Sequence, residues 1–192
     1  MRERCVYMKT SYEMKIAGKN RTLTLFPISK ELYIAGFIMF GDTELTCAAA
    51  EELLKRAPEF DVLVSAEAKG IPLAYEMSRQ SGKKYIVARK GSKLYMKDIV
   101  KVTVHSITTD HEQILCVDKS DADLMSGKRV LIVDDVISTG ESLKALENLV
   151  SAVGGNICGK MTVLAEGEAA NRDDIIYLEK LPLFDKDGNP ID

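Results

Sequence analysis

One stretch constrains this chain more than any other: Val130-Leu131-Ile132-Val133-Asp134-Asp135-Val136-Ile137-Ser138-Thr139-Gly140-Glu141-Ser142. Residues 129–133 read as a strand, continuously apolar from Val130 to Val133 inside polar flanks, which predicts burial on both faces, as in the middle of a parallel sheet. Two adjacent carboxylates end it. Small hydroxyl residues and a glycine then open a helix over 139–153, with Leu143, Leu146, Val150 and Val153 on one stripe and Gly154-Gly155 as its stop.

The rest of the chain alternates in the same way. Residues 43–57 read as a helix, with Leu45, Ala49, Leu53 and Ala57 four apart, entered after Gly41-Asp42 and stopped by Pro58. A strand at 61–65, a helix at 71–80 closed by Gly82, and a strand at 84–88 follow. Residues 101–107 and 113–117 read as a hairpin, and 160–165 and 175–178 as two last strands. The fold class is therefore α/β, with a mainly parallel sheet covered by helices on both faces. In such sheets ligands bind beyond the carboxyl ends of the strands.

The first 40 residues differ from the rest. Residues 12–17 and 21–25 read as a hairpin turning through Gly18-Lys19-Asn20, a small N-terminal hood (1–40) on a core (41–192) within one structural domain. Residues 185–192 read as a solvated end. Cysteines 5, 47, 116 and 158 form no C-x-x-C pair and have no nearby histidine, and the longest apolar run, 32–40, is far short of the ~20 residues of a membrane helix. The expectation is a reduced, cytoplasmic protein without a membrane partner.

The chain of 192 residues carries 26 Lys and Arg against 29 Asp and Glu, a net −3 that argues against a general nucleic-acid binder. That average hides a cationic segment. Residues 69–101 hold nine basic and two acidic residues, leaving −10 for the remainder. Such a segment suits one small, highly anionic substrate.

At the central motif, a helix N-terminus with the hydroxyls of Ser138, Thr139 and Ser142 can hold a phosphate without lysine. Taken singly, Asp134 and Asp135 are also ordinary turn formers and Ser138 an ordinary helix cap. Together, two acids at a buried strand end repel in low dielectric, which favours a ligand or metal beside them.

These residues resemble the type I phosphoribosyltransferases, purine branch, over about residues 26–168, and no Gly-x-x-x-x-Gly-Lys-Ser/Thr loop is present. The resemblance implies a small N-terminal hood and binding of phosphoribosyl pyrophosphate (PRPP). Asp134 and Asp135 would hold the ribose hydroxyls, and Val136, Ile137, Ser138, Thr139, Gly140, Glu141 and Ser142 the 5′-phosphate. Ala68, Lys69 and Gly70, after Glu67, would meet the pyrophosphate together with Lys93. Arg89 and Lys90 would open a mobile catalytic lid, Gly91 to Tyr95 continuing it, near a homodimer interface. Mg²⁺ would arrive with PRPP rather than on protein ligands of its own.

The resemblance also bears on the purine. Oxopurine enzymes carry a Lys just after the strand that follows the PRPP helix, to donate to the 6-oxo group; Glu166 occupies that region here and would accept from an amino group. Adenine is therefore the expected base, with xanthine, guanine or hypoxanthine, or a non-catalytic PRPP sensor, as alternatives. Glu166 reads equally as a solvated strand-end acid, and Phe26 as a stacking residue or as core. Thr108 stands where many adenine enzymes carry a glutamate, with Asp110 or Glu112 as substitutes. His105 and His111 read as structural or solvent-facing.

Overall fold

The computed structural model describes residues 9–105 and 112–191. Strands β1 (Ser11–Ile16) and β2 (Lys19–Pro27) pair antiparallel, and β3 (Tyr33–Gly36) joins the far edge of β2. The turn between β1 and β2 is Ala17-Gly18, both at positive φ (47° and 79°). Two such residues match the twist of a hairpin. The turn thus precedes the expected Gly18-Lys19-Asn20 loop, because Lys19 already pairs with Ile16 and Asn20 with Lys15.

Helix α1 (Thr43–Arg56) starts on Asp42, whose carboxylate accepts from Leu45 N. The same carboxylate takes the Arg21 fork from β2 at 2.6 and 2.8 Å, so the cap of α1 also ties down the hood. Next come β4 (Val62–Ala66), α2 (Ile71–Ser81) and β5 (Lys84–Ala88), with Gly82 closing α2 at φ 69°. Strands β6 (Val100–His105) and β7 (Glu112–Val117) form the expected antiparallel pair. Helix α3 (Lys119–Met125), capped by Asp118, was not foreseen.

The chain then runs through β8 (Arg129–Ile137), α4 (Glu141–Ala152), β9 (Asn156–Glu166), a 3₁₀ turn at Gly167–Asn171 and β10 (Ile176–Leu181). The main sheet has the order β10-β9-β8-β4-β5 with every neighbouring pair parallel. Strand β8 lies in the middle. Leu131 and Val133 pack with α1, α2 and the hood, whereas Val130 and Ile132 pack with α4, α3 and β7. This is the two-faced burial that the apolar run required.

Boundaries moved where pairing outran the local pattern. Strand β8 continues through both aspartates because Asp134, Val136 and Ile137 pair with Thr162, Leu164 and Ala165 of β9, and α4 begins at Glu141 rather than 139. The tail from 185 is solvent-exposed at Lys186, Asn189, Pro190 and Ile191, as expected of a solvated end, but its backbone is tied down beside a buried residue just before it. Phe184 is fully buried against Tyr12 and exchanges backbone hydrogen bonds with Tyr33, while Asp185 holds the amides of Asp187 and Asn189 in a tight return. Burying one large ring is what draws these residues under the hood.

No helix among the described residues is long and apolar enough to cross a membrane, and Cys47, Cys116 and Cys158 are free. Cys5, Thr108, Asp110 and His111 lie outside the described residues, as do the side chains of His105 and Glu112.

Candidate active site

The carboxyl ends of β4, β8 and β9 converge on Asp134 and Asp135. Asp135 is only 4% exposed, and its Oδ2 has no hydrogen-bond partner. The Lys69 ammonium lies 3.4 Å from that oxygen, an ion pair too long and poorly directed to satisfy it. Asp134 Oδ1 accepts from Asp135 N at 2.9 Å. Burial, and then the Asp135 charge beside it, push the Asp134 carboxyl far up, to about 8. A donor or cation delivered to this pair would be strongly favoured.

The loop after β4 reaches the same point. A Cβ on Gly70 would stand 2.8 Å from Asp134 Oδ1 and 3.3 Å from its Cα, and would overlap Ser65 Oγ. Only glycine lets this loop pack so closely on β8. Ser65 Oγ is itself buried without a hydrogen-bond partner. The Glu67-Ala68 peptide bond is cis.

Beyond β8, Ser138 and Thr139 are exposed and Gly140 turns at φ 81° onto α4, whose start carries no side-chain cap. Asp134 and residues 136–143 line a cavity of about 120 Å³ there. Uncapped amides, a helix dipole and hydroxyls around a small cavity make an anion cradle.

The cationic residues come from a different part of the chain. The Glu67 carboxylate accepts from Lys90 N at 3.2 Å and pairs with Arg89 Nη1 at 3.4 Å. The Lys90 amide foremost, with the nearby Lys93 and Arg89 charges, holds the Glu67 carboxyl below the usual range. Arg89 and Cys116 exchange backbone hydrogen bonds at 2.8 and 2.9 Å, fastening the start of this segment to β7. Lys90 and Lys93 are exposed, Leu94 is fully exposed and Tyr95 largely so.

Glu166 is not a solvated acid. It ends β9 at 9% exposure, and burial above all pushes its carboxyl up. Phe26 is half exposed, its ring edge over Gly36, so it is not core. It does not line the cavity beside Asp134. Sequence reasoning missed Glu67 as a partner of Arg89, and Ser65 under Gly70. It also missed Arg172, whose Nη1 would lie 2.8 Å from a Cβ on Gly140. The Glu67–Arg89 and Gly140–Arg172 contacts join segments far apart in the chain, and Ser65 reads as an ordinary strand residue, so no local pattern marks any of them.

A parallel sheet whose middle strand delivers paired acids into an anion cradle, opposite a basic loop, defines a protein built around a small phosphorylated, hydroxylated ligand. Residues 44–186 match the model of the phosphoribosyl transferase domain, and the chain belongs to that family. It is 37% identical over 129 residues to adenine phosphoribosyltransferase of Cenarchaeum symbiosum, covering 66% of this chain and 73% of that one. With the enzyme of the same name from Bifidobacterium longum (strain DJO10A) it shares 37% over 112 residues, 58% of this chain and 55% of that one. The fold matches the adenine phosphoribosyltransferase of Thermoanaerobacter pseudethanolicus with a TM-score of 0.67 at 22% identity, over 82% of this chain and 95% of that one. The Saccharomyces cerevisiae enzyme, solved with an imino-altritol bisphosphate and adenine, matches with a TM-score of 0.65 at 21% identity, over 82% and 92%.

Proposed function

We propose that this chain transfers the 5-phosphoribosyl group of PRPP to N9 of adenine, giving AMP and pyrophosphate. The relatives of the same name support the reaction. The observation that carries the assignment of roles is the orphaned Asp135 Oδ2 beside the raised Asp134, an acid pair short of donors at the mouth of an anion cradle. Ribose hydroxyls supply those donors. The 5′-phosphate sits on the amides and hydroxyls of residues 136–142, and Ala68, Lys69, Gly70 and Lys93 receive the pyrophosphate.

As the C1′–O bond to pyrophosphate breaks, positive charge builds on the ribose ring and negative charge on the leaving group. Asp134 and Asp135 face the first, while Lys69, Arg89 and Lys90 face the second. N9 then bonds to C1′, its proton passing to the departing pyrophosphate, with no covalent enzyme intermediate. The segment after Arg89, exposed at Lys90 and from Ser92 to Tyr95, closes over the substrates and keeps water from the ring cation. Paired carboxylates with an unsatisfied oxygen fit Mg²⁺, and Asp134 and Asp135 are the residues that would hold it alongside the substrate. When bound, it neutralises charge on the pyrophosphate.

Adenine is preferred because Glu166, buried at the end of β9, can accept from an exocyclic amino group. Phe26 is proposed to stack on the base from the hood. A cytoplasmic homodimer completes the proposal, the exposed Leu94 and Tyr95 offering apolar contact area beside the lid.

Incubation with PRPP, Mg²⁺ and each nucleobase tests the reaction, with AMP and pyrophosphate expected from adenine. Turnover of an oxopurine alone would replace adenine, and no pyrophosphate with any base would leave a PRPP sensor. Glu166→Lys is expected to move preference toward hypoxanthine or guanine. An unchanged preference would sink the role of Glu166.

A further inference from the structure

Among the described residues, those lining the anion cavity include no lysine or arginine. A phosphate monoester brings roughly −1.5 to −2 charges, whereas a helix N-terminus offers about half a positive charge. The described lining therefore offers no side-chain cation to meet that phosphate. Lys69, the nearest basic residue of the pyrophosphate loop, is already paired with Asp135.

Arg172 comes from outside that lining. It follows the 3₁₀ turn at Gly167–Asn171, and its Nε and Nη2 fork onto the Asp174 carboxylate at 2.8 Å each. Asp174 also accepts from Lys160 of β9, whose ammonium reaches Glu147 of α4 at 2.8 Å. The guanidinium is thus fixed by groups on β9, α4 and the turn after β9. Its third nitrogen, Nη1, faces Gly140 so closely that a Cβ there would stand 2.8 Å away. The Asp174 carboxylate above all raises the Arg172 pKa further, so the cation persists at every working pH.

We propose that Arg172 is a positioning residue for the 5′-phosphate. Its guanidinium backs the turn of the cradle at Gly140 and brings a fixed positive charge to the side of the cavity where the lining has none. The Asp174–Lys160–Glu147 network fixes its orientation. This rests on the phosphoribosyl reading above and names a residue that reading does not use.

Calorimetric titration of the whole chain with ribose 5-phosphate, and separately with pyrophosphate, tests it. Arg172→Gln is expected to weaken ribose 5-phosphate binding about tenfold, the scale of one charge-assisted contact, with pyrophosphate binding unchanged. Arg172→Lys is expected to recover part of the loss, and KM for PRPP to rise in Arg172→Gln while KM for the base stays. Asp174→Asn, which loosens the fork but keeps the cation, is expected to weaken ribose 5-phosphate several-fold.

Unchanged ribose 5-phosphate affinity in both Arg172→Gln and Asp174→Asn would overturn the proposal. An equal loss for both ligands, as a loosened fold would give, would also overturn it. No ribose 5-phosphate binding to the unaltered chain would remove the cradle itself, and with it both readings.

Discussion

The two halves of the candidate site are built in opposite ways. The half on β8 and α4 is one continuous stretch of chain, and its acid pair is short of donors: Asp135 Oδ2 is unsatisfied and Asp134 is pushed up to about 8. The half made by the loop after β4 and the segment after β5 is assembled from two stretches. Its cations are already engaged, Lys69 with Asp135 and Arg89 with Glu67. One half awaits partners and the other must release them, so binding of an anion rich in hydroxyls is an exchange of ion pairs rather than the filling of an empty slot.

The largest expected effect comes from breaking the half that awaits partners. Asp134→Asn with Asp135→Asn should lower turnover on the order of 10² or more, because charge opposite the ribose cation is lost. Stability should move the other way. A carboxyl whose folded pKa lies above its unfolded value favours folding below the unfolded pKa, and that contribution is lost as pH rises through the folded pKa. The unliganded protein should therefore lose stability between about pH 4 and about pH 8, and the double variant should show a flatter profile and melt higher at pH 8. Near-normal turnover, or an unflattened profile, would contradict the contrast.

A smaller effect is expected where the halves touch. Gly70→Ala sets a methyl against Ser65 Oγ and Asp134 Oδ1, so the pyrophosphate loop has to shift. Overpacking of this kind costs about 1–3 kcal/mol, and turnover should fall with it. Ser65→Ala in the same chain removes the nearest obstructing atom, and also a buried hydroxyl without a partner. Thermal melts should then recover part of the loss. No recovery would mean that the obstruction lies with Asp134 alone.

This contrast also explains what the sequence could reveal. Strand β8 and helix α4 were legible because their signals are local: an apolar run, two acids, then a stripe at helical spacing. Helix α3 has seven residues, too few for a stripe to stand out. The hairpin turn hid because its first residue is Ala17, at a φ that usually marks glycine. Phe184 was read as part of no element, since only pairing with Tyr33, far back in the chain, buries it. Glu67 and Arg172 escaped for the same reason. Each acts on a residue from a separate segment, and neither sits in a periodic pattern.

The smallest expected effect sharpens the comparison from the side of the engaged half. Glu67→Gln keeps the shape and an oxygen that can still accept from Lys90 N, but removes the charge that holds Arg89. If Arg89 has to leave Glu67 to meet pyrophosphate, the variant should bind pyrophosphate more tightly. The pair is partly exposed and long, at 3.4 Å, so the gain should be only about two- to fivefold, the range of surface ion pairs. Because the Glu67 carboxyl is held below its usual range, it stays charged throughout neutral pH, and the gain should not vary between pH 6 and 9. Titration of both chains with pyrophosphate at these pH values reads the effect directly. Weaker binding in the variant would show that Glu67 positions Arg89 for the ligand instead of competing with it, and the two halves would then differ in assembly but not in their need to exchange partners.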